Sequence, residues 1–97
     1  MACFMAERYL ASSPIRSLLA VVARDRLAAR IMTTRGVPIS HLRTIYMPED
    51  EMYFSLFEAP SARSLQEVSD RLDLGFVRIT EAMQIGPEVG TEPRPRS

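Results

Sequence analysis

The hydrophobic period of this chain changes between two residues and three to four residues in a definite order, and that order limits the fold more than any other feature. Cys3 to Leu10 alternate, with Phe4, Ala6 and Arg8 in one set and Cys3, Met5, Glu7 and Tyr9 in the other, the period of a strand with unlike faces. Ser12, Ser13 and Pro14 then supply a helix start, a serine cap with proline at the first helical position. Ile15, Leu19, Val22, Ala23, Leu27 and Ile31 continue as one apolar helical stripe. Its end is expected near Arg35 and Gly36, because glycine takes the left-handed closing conformation cheaply and Pro38 cannot continue a helix.

Ile39 to Met47 and Met52 to Ala59 are β-rich runs around the polar Pro48-Glu49-Asp50-Glu51, which predicts an antiparallel hairpin with a solvated tip. After Pro60, Ser61 can cap a second helix with Leu65, Val68 and Leu72 inward, Arg63, Glu67, Asp70 and Arg71 outward, and Gly75 closing it. Phe76 to Ile85, with Val77, Ile79, Met83 and Ile85, reads as the last strand. Right-handed crossovers applied to the order βαββαβ predict an α+β, ferredoxin-like sandwich, a four-stranded antiparallel sheet with two helices on one face. One domain over residues 1–85 is expected, followed by a disordered tail, residues 86–97, which holds two of the four glycines and three of the seven prolines.

Charge and cysteine content narrow the function classes. Twelve basic and twelve acidic residues give zero net charge, without the basic excess that binds nucleic acid or anionic membrane. Every basic residue is arginine, which removes Schiff-base and lysine general-base chemistry. The lone Cys3 cannot close an intrachain disulfide or build a thiolate zinc cluster, and reads as a small buried hydrophobe. No signal peptide is read, and no apolar run approaches the ~18 residues of a membrane span, so a cytoplasmic setting is expected.

A sheet covered on one side must wet or bury its other face. Phe4, Ala6, Leu42, Phe54 and Leu56 are assigned to the helix side. Met5, Glu7, Tyr9, His41, Arg43, Ile45, Tyr53, Ser55 and Phe57 are then expected on the open side, too apolar a set for an ordinary wet face. A chain this short buries only roughly 60% of its unfolded surface, so burial of that face in a homodimer, an α+β barrel with an enclosed lumen, is expected.

The polar residues on this face invite a ligand. Glu7 and Arg43 share a predicted parity and are expected to meet, either holding a polar ligand or forming a structural ion pair in the subunit contact. The single His41 is a candidate acid or base, or a surface or capping residue. Tyr9, Tyr46, Tyr53 and Phe57 suggest an aromatic pocket or, for at least half of them, core packing, with Tyr46 under the helices. Glu49, Asp50 and Glu51 lack the spacing of a calcium loop, and no phosphate-loop, dinucleotide, zinc-protease or serine-hydrolase motif is present.

Glu7-Arg8 in the first strand, His41-Leu42-Arg43-Thr44 in the second, Phe57-Glu58-Ala59-Pro60 before the second helix and Arg78-Ile79 opening the last strand together resemble the small bacterial nickel-binding-protein-like family, catalogued as domain of unknown function 4242. The resemblance spans about residues 3–85 and rests on the order and spacing of these runs. It implies a ferredoxin-like dimer, nickel-binding in some members. Arg43 stands where relatives carry a histidine, Ser55 where they carry a cysteine, and Val68 where they carry the histidine of a Glu-His pair, beside the retained Glu67. Arginine cannot ligate a metal and nickel favours imidazole, so no metal or other cofactor is expected.

The expected function is a homodimeric small-molecule-binding protein using Glu7, Tyr9, His41, Arg43, Tyr53 and Ser55. The alternatives are a cofactor-independent isomerase or cyclase moving protons through Glu7 or His41, an interaction module whose open face meets another protein, and a nickel-binding protein.

Overall fold

A computed structural model describes residues 1–9 and 15–85. Leu10, the Ser12-Ser13-Pro14 start and the tail at 86–97 lie outside the described residues. The elements are β1 (Ala2–Tyr9), α1 (Ile15–Thr34), β2 (Ser40–Met47), β3 (Met52–Ala59), α2 (Ala62–Leu72) and β4 (Arg78–Ala82). The sheet runs β2-β3-β1-β4 with antiparallel neighbours, so each helical crossover skips one strand, the ferredoxin-like arrangement.

Local chemistry explains the boundaries. The N–H of Gly36 donates to the carbonyl of Thr33 at 3.0 Å and that of Val37 to Met32 at 2.9 Å, a paired closure of α1 that requires the positive φ of 93° at Gly36. Ser61 caps α2 by accepting from the Ser64 N–H at 3.1 Å. The helix closes on Asp73 in left-handed conformation rather than on Gly75, which turns the chain two residues later. β2 and β3 join through Pro48–Glu51 with Met47 facing Met52 across the hairpin. β4 stops at Ala82, opposite Cys3, and Met83 and Ile85 are exposed beyond it.

Antiparallel partners share a face, so the register decides which side chains meet the helices. Phe4↔Phe57, Ala6↔Ser55 and Arg8↔Tyr53 put Tyr53, Ser55 and Phe57 on the helix side, all essentially inaccessible. This reverses the expected parity of β3. Phe54 and Leu56 belong to the open face, because the apolar residues of β3 occupy both faces and Ser55 is the one drawn inward.

β2 carries a bulge between His41 and Arg43, with Leu42 left over opposite Leu56. His41 and Thr44, three apart, would lie on opposite faces of a regular strand; the bulge brings both to the helix side, correcting the placement of His41, while Arg43 and Ile45 stay on the open side as expected. Tyr46 faces Tyr53 beneath the helices, as expected, with ring centroids 4.8 Å apart.

α1 is rotated from its expected stripe. Val21, Asp25, Ala28 and Met32 point inward, whereas Leu19 is 68% and Leu27 49% exposed. An aspartate in the centre of the buried stripe is the reason: a polarity reading turns that residue to solvent, and the stripe with it. The core itself joins Phe4 and Phe57 of the sheet to Met32 of α1, Leu65 and Val68 of α2, and Phe76 before β4.

Candidate functional site

Arg8 continues the inward alternation of Phe4 and Ala6, so its guanidinium enters the space under α1. Its Nη2 donates to both carboxylate oxygens of Asp25, at 2.7 and 2.6 Å, and its Nη1 to the carbonyl of Leu74 at 3.0 Å. The Phe76 ring lies 4.6 Å from the guanidinium carbon, adding a cation–π contact. Burying two charges is tolerated here because each is paired and hydrogen-bonded.

The pair anchors a chain of hydroxyls. Ser55 donates from Oγ to Asp25 Oδ2 at 2.7 Å, Thr44 Oγ1 lies 2.9 Å from Ser55 Oγ, and His41 Nε2 lies 2.8 Å from Thr44 Oγ1. A carboxylate only accepts, so the proton directions follow from the Asp25 end. Ser55 has spent its hydrogen, hence Thr44 donates to Ser55 and receives the Nε2–H of His41. Asp25 thereby sets the tautomer of a histidine on the edge strand β2, leaving Nδ1 as a lone-pair acceptor, buried and without a partner among the described residues. Burial pushes the His41 pKa below its ordinary 6.5, opposed by the Asp25 carboxylate and reinforced by Arg26 and Arg8. The ring packs edge-on against Phe57 at 5.4 Å.

His41 also lines a cleft of about 490 Å³ between α1 and the start of β2. Its helical wall is Arg26, Ala29, Arg30, Thr33 and Thr34, and Ile39, Ser40 and His41 form the other. Thr33 ties the walls together, its Oγ1 accepting from the Ile39 N–H at 3.1 Å and donating to the Ile39 carbonyl at 3.0 Å.

The six expected ligand residues therefore divide between two faces. His41, Tyr53 and Ser55 lie on the helix side, Tyr53 and Ser55 fully enclosed. Glu7, Tyr9 and Arg43 lie on the open side. Glu7 pairs with Arg78 of the adjacent β4 at 3.7 Å and not with Arg43, because β3 separates β1 from β2 and puts the latter about two strand spacings, roughly 10 Å, away. The aromatic pocket does not form: Tyr53 and Phe57 are core, while Tyr9 is exposed on the opposite side. Arg8, Asp25, Thr44, Arg26 and Arg30 escaped the sequence reading. The parity of β1 already grouped Arg8 with Phe4 and Ala6, a signal that an arginine was heading inward and needed an acid.

Among the described residues no three His, Cys, Asp or Glu side chains converge, and Cys3 and His41 occupy opposite faces of the sheet. No described helix is long and apolar enough to cross a membrane.

The chain is similar to SCO4226 from Streptomyces coelicolor A3(2), seen in a crystal structure, with TM-score 0.69 and 19% identity over 88% of this chain and 100% of that one. At that identity the likeness establishes a shared ferredoxin-like α+β fold. No protein-family model matches the chain, and no curated protein does.

Proposed function

We propose that this protein is a homodimeric small-molecule-binding protein, with its ligand in the α1/β2 cleft and its subunits joined through the open sheet face. One observation carries the ligand reading: His41, on the wall of a cleft of about 490 Å³, is held by a hydrogen-bonded chain running back to the buried Arg8–Asp25 pair. Binding sites hold their polar groups in advance so that little freedom is lost when the ligand arrives. The cleft volume falls within the range of small-molecule sites.

The dimer reading rests on the open face. Met5, Ile45, Met47 and Phe54 lie there with Glu7, Glu58, Arg43 and Arg78, an apolar field carrying two acids and two bases. A two-fold contact sets such a face against itself without net repulsion. Glu7, Tyr9 and Arg43 then serve the subunit contact and His41 the ligand, with the enclosed Ser55 holding His41 in place through Thr44. A cytoplasmic setting accords with the single free thiol.

A screen of small molecules by thermal shift, followed by amide-resolved NMR, tests the ligand reading. Saturable shifts at His41 and along residues 26–34 are expected; a screen that perturbs none of these positions overturns it. Enzymatic proton transfer is a second reading, favoured by the place of His41, the one histidine of the chain, on the cleft wall. Turnover of a bound molecule that disappears in His41→Gln, with affinity retained, would decide for the enzyme.

A further inference from the structure

We propose that the α1/β2 cleft takes an organic oxyanion, a carboxylate or phosphate on a small apolar body, held by Arg26 and Arg30. This inference rests on the ligand-binding reading and names the chemical class of the ligand.

The argument begins with helical spacing. Positions 26, 30, 33 and 34 fall one and two turns apart, so Arg26, Arg30 and Thr34 share a single stripe of α1, and all line the cleft. The two charged residues of the lining are both cationic, although the chain as a whole is neutral. Like charges at this spacing repel, and among the described residues neither arginine has an acidic partner. The acid next to Arg26 in sequence is Asp25, but it points inward and is fully spent on Arg8 and Ser55. A fixed positive potential is therefore left at the cleft without a carboxylate to cancel it.

Guanidinium groups match this deficit with a definite shape. Each offers a planar fork of N–H donors suited to two oxygens of one carboxylate or phosphate. Thr34 and Ser40 add hydroxyls at the same cleft, whereas Thr33 is already engaged by Ile39. Ala29 and Ile39 contribute apolar surface. A volume of about 490 Å³ leaves room for more than an inorganic ion, so the anionic head is expected to carry a small hydrocarbon or aromatic body.

The test is an NMR titration of the ¹⁵N-labelled full chain with hexanoate, 1-hexanol and inorganic phosphate. Hexanoate is expected to shift the amides of Arg30, Thr34 and His41 saturably and to bind more tightly than its neutral analogue. Arg26→Gln and Arg30→Gln, both exposed positions, should each weaken hexanoate by about tenfold. Arg71→Gln on α2 should leave the affinity unchanged. Phosphate competing with hexanoate supports recognition of the oxyanion head in common, and phosphate that does not compete assigns the site to carboxylates. Equal affinity for hexanoate and 1-hexanol, or indifference to both arginine substitutions, overturns the oxyanion assignment. So does a cleft silent to hexanoate and phosphate; if neutral molecules from the wider screen still bind there, the ligand-binding reading survives alone, and if none do, both fall.

Discussion

Arg8 and Asp25 meet inside the protein at 2.6 Å, with side-chain exposures of 7% and 0%, and their pairing fastens the last inward-facing residue of β1 to the middle of α1. Neither charge could lie there alone. Together they set the rotation of the helix, the inward position of Ser55 and, through Thr44, the state of His41.

Breaking the pair from one side leaves an uncompensated buried charge. Arg8→Met or Asp25→Leu alone should lower unfolding free energy by about 3–5 kcal/mol, whereas the double variant should recover much of that loss. Urea denaturation of the four proteins measures it; additive losses in the double variant would show that the two residues act independently.

Ser55→Ala removes the donor to Asp25 and the acceptor of Thr44. A loss of about 1–3 kcal/mol is expected, the range for leaving buried polar partners unsatisfied. Thr44 is then free to turn, so the ¹⁵N shifts of the His41 ring should report a mixture of tautomers where the native protein has one. An unchanged single tautomer would mean that Asp25 does not govern it.

His41 titrates below its ordinary 6.5 because burial disfavours its charged form. The unfolded chain therefore binds more protons than the folded one between the folded midpoint and about 6.5. Stability should fall as pH drops through that window, and the contribution is fully present above it. A ring-proton NMR titration gives the midpoint, and chemical denaturation across the same range gives the slope; a midpoint at or above 6.5 contradicts the burial argument.

Leu42 is the extra residue of the β2 bulge. Its deletion should restore a regular ladder with His41 next to Arg43 and still opposite Phe57, on the helix side. His41 should then keep its contact with Thr44 and its titration below 6.5. A His41 ring that titrates at or above 6.5 in the deletion variant would show that the bulge itself, and not burial on the helix side, sets its environment.

If the open face joins two copies, Ile45→Glu should move the protein to the monomer in light scattering, since it puts an unpaired charge into a contact that symmetry presents twice. A protein that is monomeric before substitution sinks the dimer reading.

What the sequence by itself determined is the succession of elements, because these rest on neighbours. The Ser61 cap, the closure at Gly36 and the polar tip between β2 and β3 are each decided within a few residues. The inward course of Phe4 and Ala6 was legible for the same reason. The tertiary structure decided everything that depended on a charge lying inside. Sequence periodicity treats Asp25 and Ser55 as solvent-facing, and so turned α1 and β3 the wrong way. Arg8, 17 residues from Asp25 and 47 from Ser55, makes their burial favourable only once three separate elements have come together. The bulge at Leu42 likewise leaves no local polarity signal, and it alone carries His41 from the open face to the cleft.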